Sequence, residues 1–147
     1  MATTEPIPDA DRPGRTGFLL ARAGGRAIRS LNRALEPFGL RSRHYTVLSA
    51  SAARGGLSQR ELGEILGVDP SAVVALVDDL ERAGLVRRDP HPDDRRTRLV
   101  VVTAAGQVTL AETRELARRV DDGLLAALTP TERATLETLL ERLTDPS

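Results

Sequence analysis

A mainly α-helical fold with one small β-hairpin is predicted by three observations. Apolar residues recur at helical spacing toward both ends of the chain, as in Ile28, Leu31, Leu35 and Phe38 and again in Leu136, Leu139, Leu140 and Leu143. Two helix-start signatures flank the very short connection Gly67-Val68-Asp69. One β-branched run, Leu99-Val100-Val101-Val102, follows the turn-forming segment Pro90-His91-Pro92-Asp93-Asp94. At 147 residues the chain is long enough for one compact unit with a small appendage.

The elements follow in order. Residues 1–14 hold three prolines and no apolar periodicity, and read as a flexible tail. A helix is expected from Thr16 to about Leu35, ended by Pro37-Phe38-Gly39. Gly24 and Gly25 lie inside it, so it either bends there or is closely packed by a neighbour. Ser42 is the expected N-cap of a second helix through about Ala53, with Tyr45, Leu48 and Ala52 inward. Ser58 and Glu61 form a capping box for a short third helix ending at Leu66-Gly67. Asp69-Pro70 opens a fourth helix to about Ala83, with Val73, Leu76, Val77 and Leu80 inward and Gly84 as its left-handed cap. Leu85-Val86-Arg87-Arg88 is the strand that pairs with Leu99–Val102. Thr103 caps a long helix through about Leu128, and Thr129-Pro130-Thr131-Glu132 starts the last one.

Composition narrows the function. With no cysteine there is no disulfide, thiolate metal site or cysteine nucleophile, and His44 and His91 are the only histidines. No metal site or cofactor is expected. No Gly-rich phosphate loop, convergent His/Asp/Ser set or H-E-x-x-H run is present, which argues against an enzyme. No apolar run reaches 18 residues and the N-terminus is polar and acidic, so no membrane span or signal peptide is expected and the protein reads as cytoplasmic. The 21 basic residues, all arginine, equal the 21 acidic ones, which excludes a uniformly basic nucleic-acid binder but not a local patch. Three aromatics, Phe18, Phe38 and Tyr45, are too few for a single-strand stacking platform.

The third and fourth helices have helix-turn-helix spacing, and a hairpin with Arg87, Arg88, Arg95, Arg96 and Arg98 follows directly. That order makes a winged helix-turn-helix. An arginine at the wing tip suits a narrow minor groove, and an Asp two residues earlier is placed to fix its guanidinium.

The runs Leu57-Ser58-Gln59-Arg60-Glu61-Leu62, Val68-Asp69-Pro70-Ser71, Leu76 to Arg88, Pro92-Asp93-Asp94-Arg95-Arg96 and Val102-Thr103-Ala104-Ala105-Gly106 together resemble the MarR family of bacterial transcriptional regulators. The resemblance covers residues 16–143. It implies a homodimer whose terminal helices form the interface, with each subunit presenting its winged helix to an inverted-repeat operator in double-stranded DNA. It implies a repressor released by a small molecule. The organisation is then a tail at 1–15, a helical dimerisation region at 16–39 and 104–147, and a DNA-binding domain at 40–103.

By the same resemblance Arg96 is the minor-groove arginine and Asp94 the acid that orients it, with Arg95 beside a phosphate. Ser58, Gln59 and Ser71 stand at helix N-termini, where amides and hydroxyls meet phosphates, although capping alone would also account for Ser58. Arg43 is placed to reach the backbone from the second helix, and a solvated surface arginine would account for it equally. Ala72, Val74 and Ala75 stand where relatives often carry Thr, Ser or Arg. Ala72 and Ala75 offer nothing beyond contact with a thymine methyl, and Asp78 and Asp79 add negative charge further along. The resemblance also implies a small phenolic or aromatic carboxylate ligand, with Arg22, Arg26, His44, Tyr45 and Leu48 on its wall. The alternative is that Tyr45 is core and His44 makes a structural hydrogen bond. The competing function is a winged-helix protein-interaction module with weak or no DNA binding.

Overall fold

The computed structural model describes residues 13–145. The expected tail lies almost wholly outside them. Helix α1 (Arg15–Leu35) is unbroken through Gly24 and Gly25. A Cβ built at Gly24 meets nothing within 4 Å, and one at Gly25 meets only the Arg29 side chain, so no other element among the described residues packs there. A single 3₁₀ turn (Glu36–Phe38) follows, and Gly39 closes it in the left-handed region at φ 67°.

Helix α2 (Ser42–Arg54) starts one residue earlier than the sequence suggests: Arg41 is the N-cap and Ser42 the first helical residue. Two side chains satisfy the amides, one from the first turn of α2 itself and one from α1. His44 Nδ1 accepts from the Arg41 N–H at 3.0 Å, and Asn32 Oδ1 of α1 accepts from the Ser42 N–H at 2.8 Å. The serine hydroxyl is not needed for the cap. Strand β1 (Leu57–Ser58), helix α3 (Gln59–Leu66), helix α4 (Pro70–Arg82), strands β2 (Val86–Pro90) and β3 (Arg98–Val102), and helices α5 (Ala104–Leu124) and α6 (Pro130–Thr144) complete the chain.

The sheet has three antiparallel strands in the order β1-β3-β2, one more than the expected hairpin. Leu57 pairs with Val100 and Ser58 with Leu99, while Val86 to Pro90 run against Val102 to Arg98. A two-residue strand carries no period, so nothing in the sequence marks β1. Its effect is to clamp the N-terminus of α3 to the wing.

Helix α5 ends four residues before the expected Leu128. Arg133 of α6 donates from Nε to the carbonyls of Leu125 and Leu128, at 3.1 and 3.4 Å, and so takes over acceptors that another helical turn would have used. The capping box of α6 forms as expected, with Thr129 and Glu132 each accepting from the other's amide.

One core holds the winged domain together. Leu35, Val47, Leu48, Leu57, Leu62, Val73, Val77, Leu80, Val100 and Leu110 are fully or almost fully buried in it. Each such side chain contributes about 1.5–3 kcal/mol of burial free energy. Helix α6 contributes no buried residue, and Leu139, Leu140 and Leu143 stay exposed on it.

Gly106 joins α5 to this domain. A Cβ there would lie 2.0 Å from the Leu85 carbonyl oxygen and 2.6 Å from Val102 Cγ1. Only a glycine lets the first turn of α5 sit on the base of the hairpin, where Thr103 caps it by accepting from the Gly106 N–H at 3.0 Å.

Candidate nucleic-acid interface

Helices α3 and α4 meet across Gly67-Val68-Asp69. Gly67 takes φ 63° and its N–H closes α3 onto the Gly63 carbonyl at 2.8 Å. At the other end of α3, Ser58 Oγ accepts from the Glu61 amide at 3.2 Å, and the Glu61 carboxylate accepts from the Ser58 amide at 2.8 Å. That second bond, ahead of the serine hydroxyl, holds the Glu61 carboxyl below its usual range. Ser58 is therefore an N-cap, as one of its two expected roles had it.

Gln59 is also engaged within the chain: its Oε1 accepts from Arg88 Nε and Nη2 at 3.2 and 3.0 Å. Ser71 and Ala75 are exposed on α4, and Ala72 is half-buried. Asp69 stands at the N-cap of α4 without a side-chain cap bond, and Pro70 occupies the first turn.

The acids of α4 do not form a free negative face. Asp78 Oδ1 accepts from Arg88 Nη2 at 2.7 Å. Asp79 accepts from His44 Nε2 and Arg82 Nη2, both at 3.0 Å. The His44 bond is the main reason the Asp79 carboxyl lies below its usual range. The negative charge that the sequence puts on this helix is thus paired side by side with cations.

At the wing tip the expected contact takes a different form. Asp94 does not grip the Arg96 guanidinium. Its carboxylate accepts from the Arg96 backbone N–H at 3.0 Å and from the Thr97 hydroxyl at 2.9 Å. These two bonds, the amide first, hold the Asp94 carboxyl below its usual range. The physical reason is local: an Asp at the start of a tight turn reaches the amide two residues on more easily than a long side chain folds back. Asp94 therefore shapes the turn and leaves the arginine side chain out in solvent. Arg95, Arg96 and Arg98 are exposed and make no side-chain ion pair among the described residues. Arg87 does, through Nε to both oxygens of Asp89 at 3.0 Å. Arg43 is exposed on the first turn of α2.

The residues expected on a ligand wall separate. Arg22 and Arg26 are exposed on α1, Tyr45 is half-buried against the core, and Leu48 is fully buried within it. His44 has both ring nitrogens engaged, one by Arg41 and one by Asp79, which is the structural hydrogen bonding that the sequence left as an alternative. Sequence reasoning missed Arg88, which joins β2 to α3 and α4 by ion pairs to Asp78 and Glu81 as well as its Gln59 bonds. It read Arg88 as one more wing cation; the acids at Asp78 and Glu81, three apart on a helix that precedes it, were the available signal.

Among the described residues no helix is long and apolar enough to cross a membrane, and no group of three His, Asp or Glu side chains is placed to hold a metal ion. A family model described as the MarR family matches residues 38–97. MarR of Escherichia coli is 30% identical over 128 residues, covering 86% of this chain and 89% of that protein. A mutant of that protein, solved in complex with operator DNA, superposes with a TM-score of 0.77 over 86% of this chain and 91% of its own. A MarR-family regulator from Rhodococcus sp. RHA1 superposes with a TM-score of 0.85 at 32% identity, over 95% of this chain and 99% of that one. CouR from Rhodococcus jostii RHA1, solved with p-coumaroyl-CoA bound, gives 0.82 at 34% identity over 90% and 94%. With identity at this level over 86–95% of its length, the chain belongs to the MarR family: it is a winged helix-turn-helix, DNA-binding transcriptional regulator and not an enzyme.

Proposed function

We propose that the protein works in the cytoplasm as a homodimeric repressor, bound to an inverted-repeat operator and released from it by a small aromatic or phenolic ligand. The observation that carries this reading is the distribution of charge. The cations at the base of the wing and along α4 are paired, while Arg95, Arg96 and Arg98 at the wing are left to solvent. An unpaired arginine on a turn preset by Asp94 is suited to a phosphate or a narrow minor groove. The DNA-bound structure of MarR supports the same use of the equivalent fold.

The dimer is supported by what one chain leaves uncovered. Phe18 and Ile28 on α1 are 54% and 53% exposed, and Leu143 on α6 is 65% exposed. Apolar faces on both terminal helices, with no covering element among the described residues, fit a twofold interface in which one patch serves both subunits. On this reading residues 16–39 and 104–147 dimerise and 40–103 bind DNA. The ligand is supported by CouR, which was solved with a phenolic acyl thioester. Of the five wall residues, Arg22, Arg26 and Tyr45 remain available to a carboxylate or phenol, since His44 and Leu48 are committed to the fold.

Selection from a pool of random duplexes, with sedimentation of the selected complex, tests the proposal. The expected result is an enriched inverted repeat with half-sites about 34–36 Å apart, carrying two chains. A 15.8 kDa monomer at micromolar concentration, with no sequence enriched, contradicts it. Phenolic carboxylates added to the complex should then displace the duplex.

A further inference from the structure

Helical spacing puts Pro70, Ser71, Val74 and Ala75 on one face of the first half of α4, and of these Ser71, Val74 and Ala75 are exposed, Val74 by 39%. That face carries methyl groups and a single hydroxyl. It holds no side chain able to make a bidentate bond to a base, and the acids further along are engaged by Arg88, His44 and Arg82.

The backbone beneath it is firmly seated. Val73 is fully buried, and a Cβ at Gly63 of α3 would already touch Val73 Cγ2 at 3.5 Å and the Val68 carbonyl at 3.6 Å. Val74 is therefore held at a fixed height above the domain, an exposed β-branched side chain on the second helix of the helix-turn-helix, the one that this motif presents to the major groove.

In the major groove only one base offers an apolar group. Thymine presents its 5-methyl, whereas guanine, cytosine and adenine present hydrogen-bonding atoms at the same edge. A valine against a G·C pair strips water from those atoms and returns no hydrogen bond, while against thymine it buries methyl on methyl. The occupant is duplex DNA on two grounds: the chain superposes on a relative solved with operator DNA, and the face lies on a helix that Arg88 ties to the wing carrying the exposed Arg95, Arg96 and Arg98.

We infer that Val74, with Ala75 beside it, makes this regulator select thymine through its 5-methyl group in each half-site. The inference rests on the proposed DNA-binding function and goes beyond it by assigning a base and a residue that reads it.

Uracil is thymine without the methyl, so it isolates the contact. The probe is the duplex enriched from the random pool, with its thymines replaced by uracil one at a time and affinity read by fluorescence anisotropy. One or two positions in each half-site should weaken binding about fourfold per methyl lost, the value of one buried carbon group. Elsewhere the replacement should have no effect. Val74→Ala, an exposed substitution, should bind the thymine and uracil duplexes alike, closing the cycle between side chain and methyl. If every uracil duplex binds like its parent, or if G·C pairs are enriched where α4 is protected, the inference is overturned while DNA binding stands. If Val74→Ala keeps the full thymine preference, another group reads the methyl and the assignment to Val74 is overturned. If no duplex is enriched, the proposed function falls and the inference with it.

Discussion

The guanidinium of Arg88 donates to the carboxylate of Asp78 at 2.7 Å, so the first strand of the wing is tied to the middle of α4. The same planar group reaches Gln59 of α3 and Glu81 of α4. Three elements of the DNA-binding domain thus meet on one side chain that is only 21% exposed. Arginine suits this place because its fork presents donors in several directions at fixed angles.

Arg88→Ala should lower stability by about 1–3 kcal/mol, since two carboxylates and an amide lose a common donor. Arg88→Lys should recover only part of this, because a point charge cannot serve all three acceptors. Denaturant melts check the stability. DNA affinity should fall in both variants, as the angle between wing and α4 is no longer fixed.

Arg96→Ala should weaken DNA binding more than Arg54→Ala, which removes an arginine from a turn outside the wing. Asp94→Ala is the sharper variant. Loss of a negative charge near DNA predicts tighter binding on simple electrostatics, whereas loss of the two bonds that set the tip turn predicts weaker binding. Weaker binding by about 1–2 kcal/mol with an unchanged fold is expected, as the entropy of ordering the turn now falls on the complex. Tighter binding would reduce Asp94 to an ordinary loop acid.

Gly106→Ala should destabilise the protein by about 1–3 kcal/mol or more, because the added carbon meets a backbone carbonyl and not a pliable side chain. The gain of about 1 kcal/mol in helix propensity works in the other direction and is too small to offset it. Thermal unfolding checks the sign; a stabilised variant would mean that α5 is free to move away from Leu85.

Asp121 provides a pH test. Partial burial first, and then the neighbouring charges of Asp122 and Glu137, raise its carboxyl above the ordinary value. A raised acid binds its proton more tightly in the folded state. Its contribution is fully present below the ordinary aspartate pKa of about 3.9 and is lost as pH rises through the raised value. Asp121→Asn should therefore leave stability unchanged near the acid end and increase it at pH 7. Equal melting temperatures of the two proteins at both pH values would count against the clustered charge.

Much of the fold was legible because its signals are local. The capping boxes at Ser58–Glu61 and Thr129–Glu132, the left-handed Gly84 and the Thr103 cap all involve residues close in sequence, and all appear as expected. What escaped depends on partners far apart in the chain. The cap of α2 uses Asn32, ten residues away; α5 stops where Arg133 reaches back; and β1 exists only because β3 lies beside it. The same division runs through the interface. The wing motif announced Arg96 and Asp94, but the pairing of Asp78 with Arg88 and of Asp79 with His44 needed three dimensions. Read in one dimension, those acids count against DNA binding; in the fold they are paired, and they hold in place the helix that the proposed function sets against DNA.

The most direct test of that claim is the salt dependence of binding to the selected inverted-repeat duplex, measured between 50 and 200 mM monovalent salt. A dimer whose two wings and four helix N-termini neutralise about six phosphates should lose about a thousandfold in affinity over that range, and Arg96→Ala should flatten the slope. An affinity that stays level across the range would contradict the account, because contact with the phosphate backbone cannot be made without releasing its counterions.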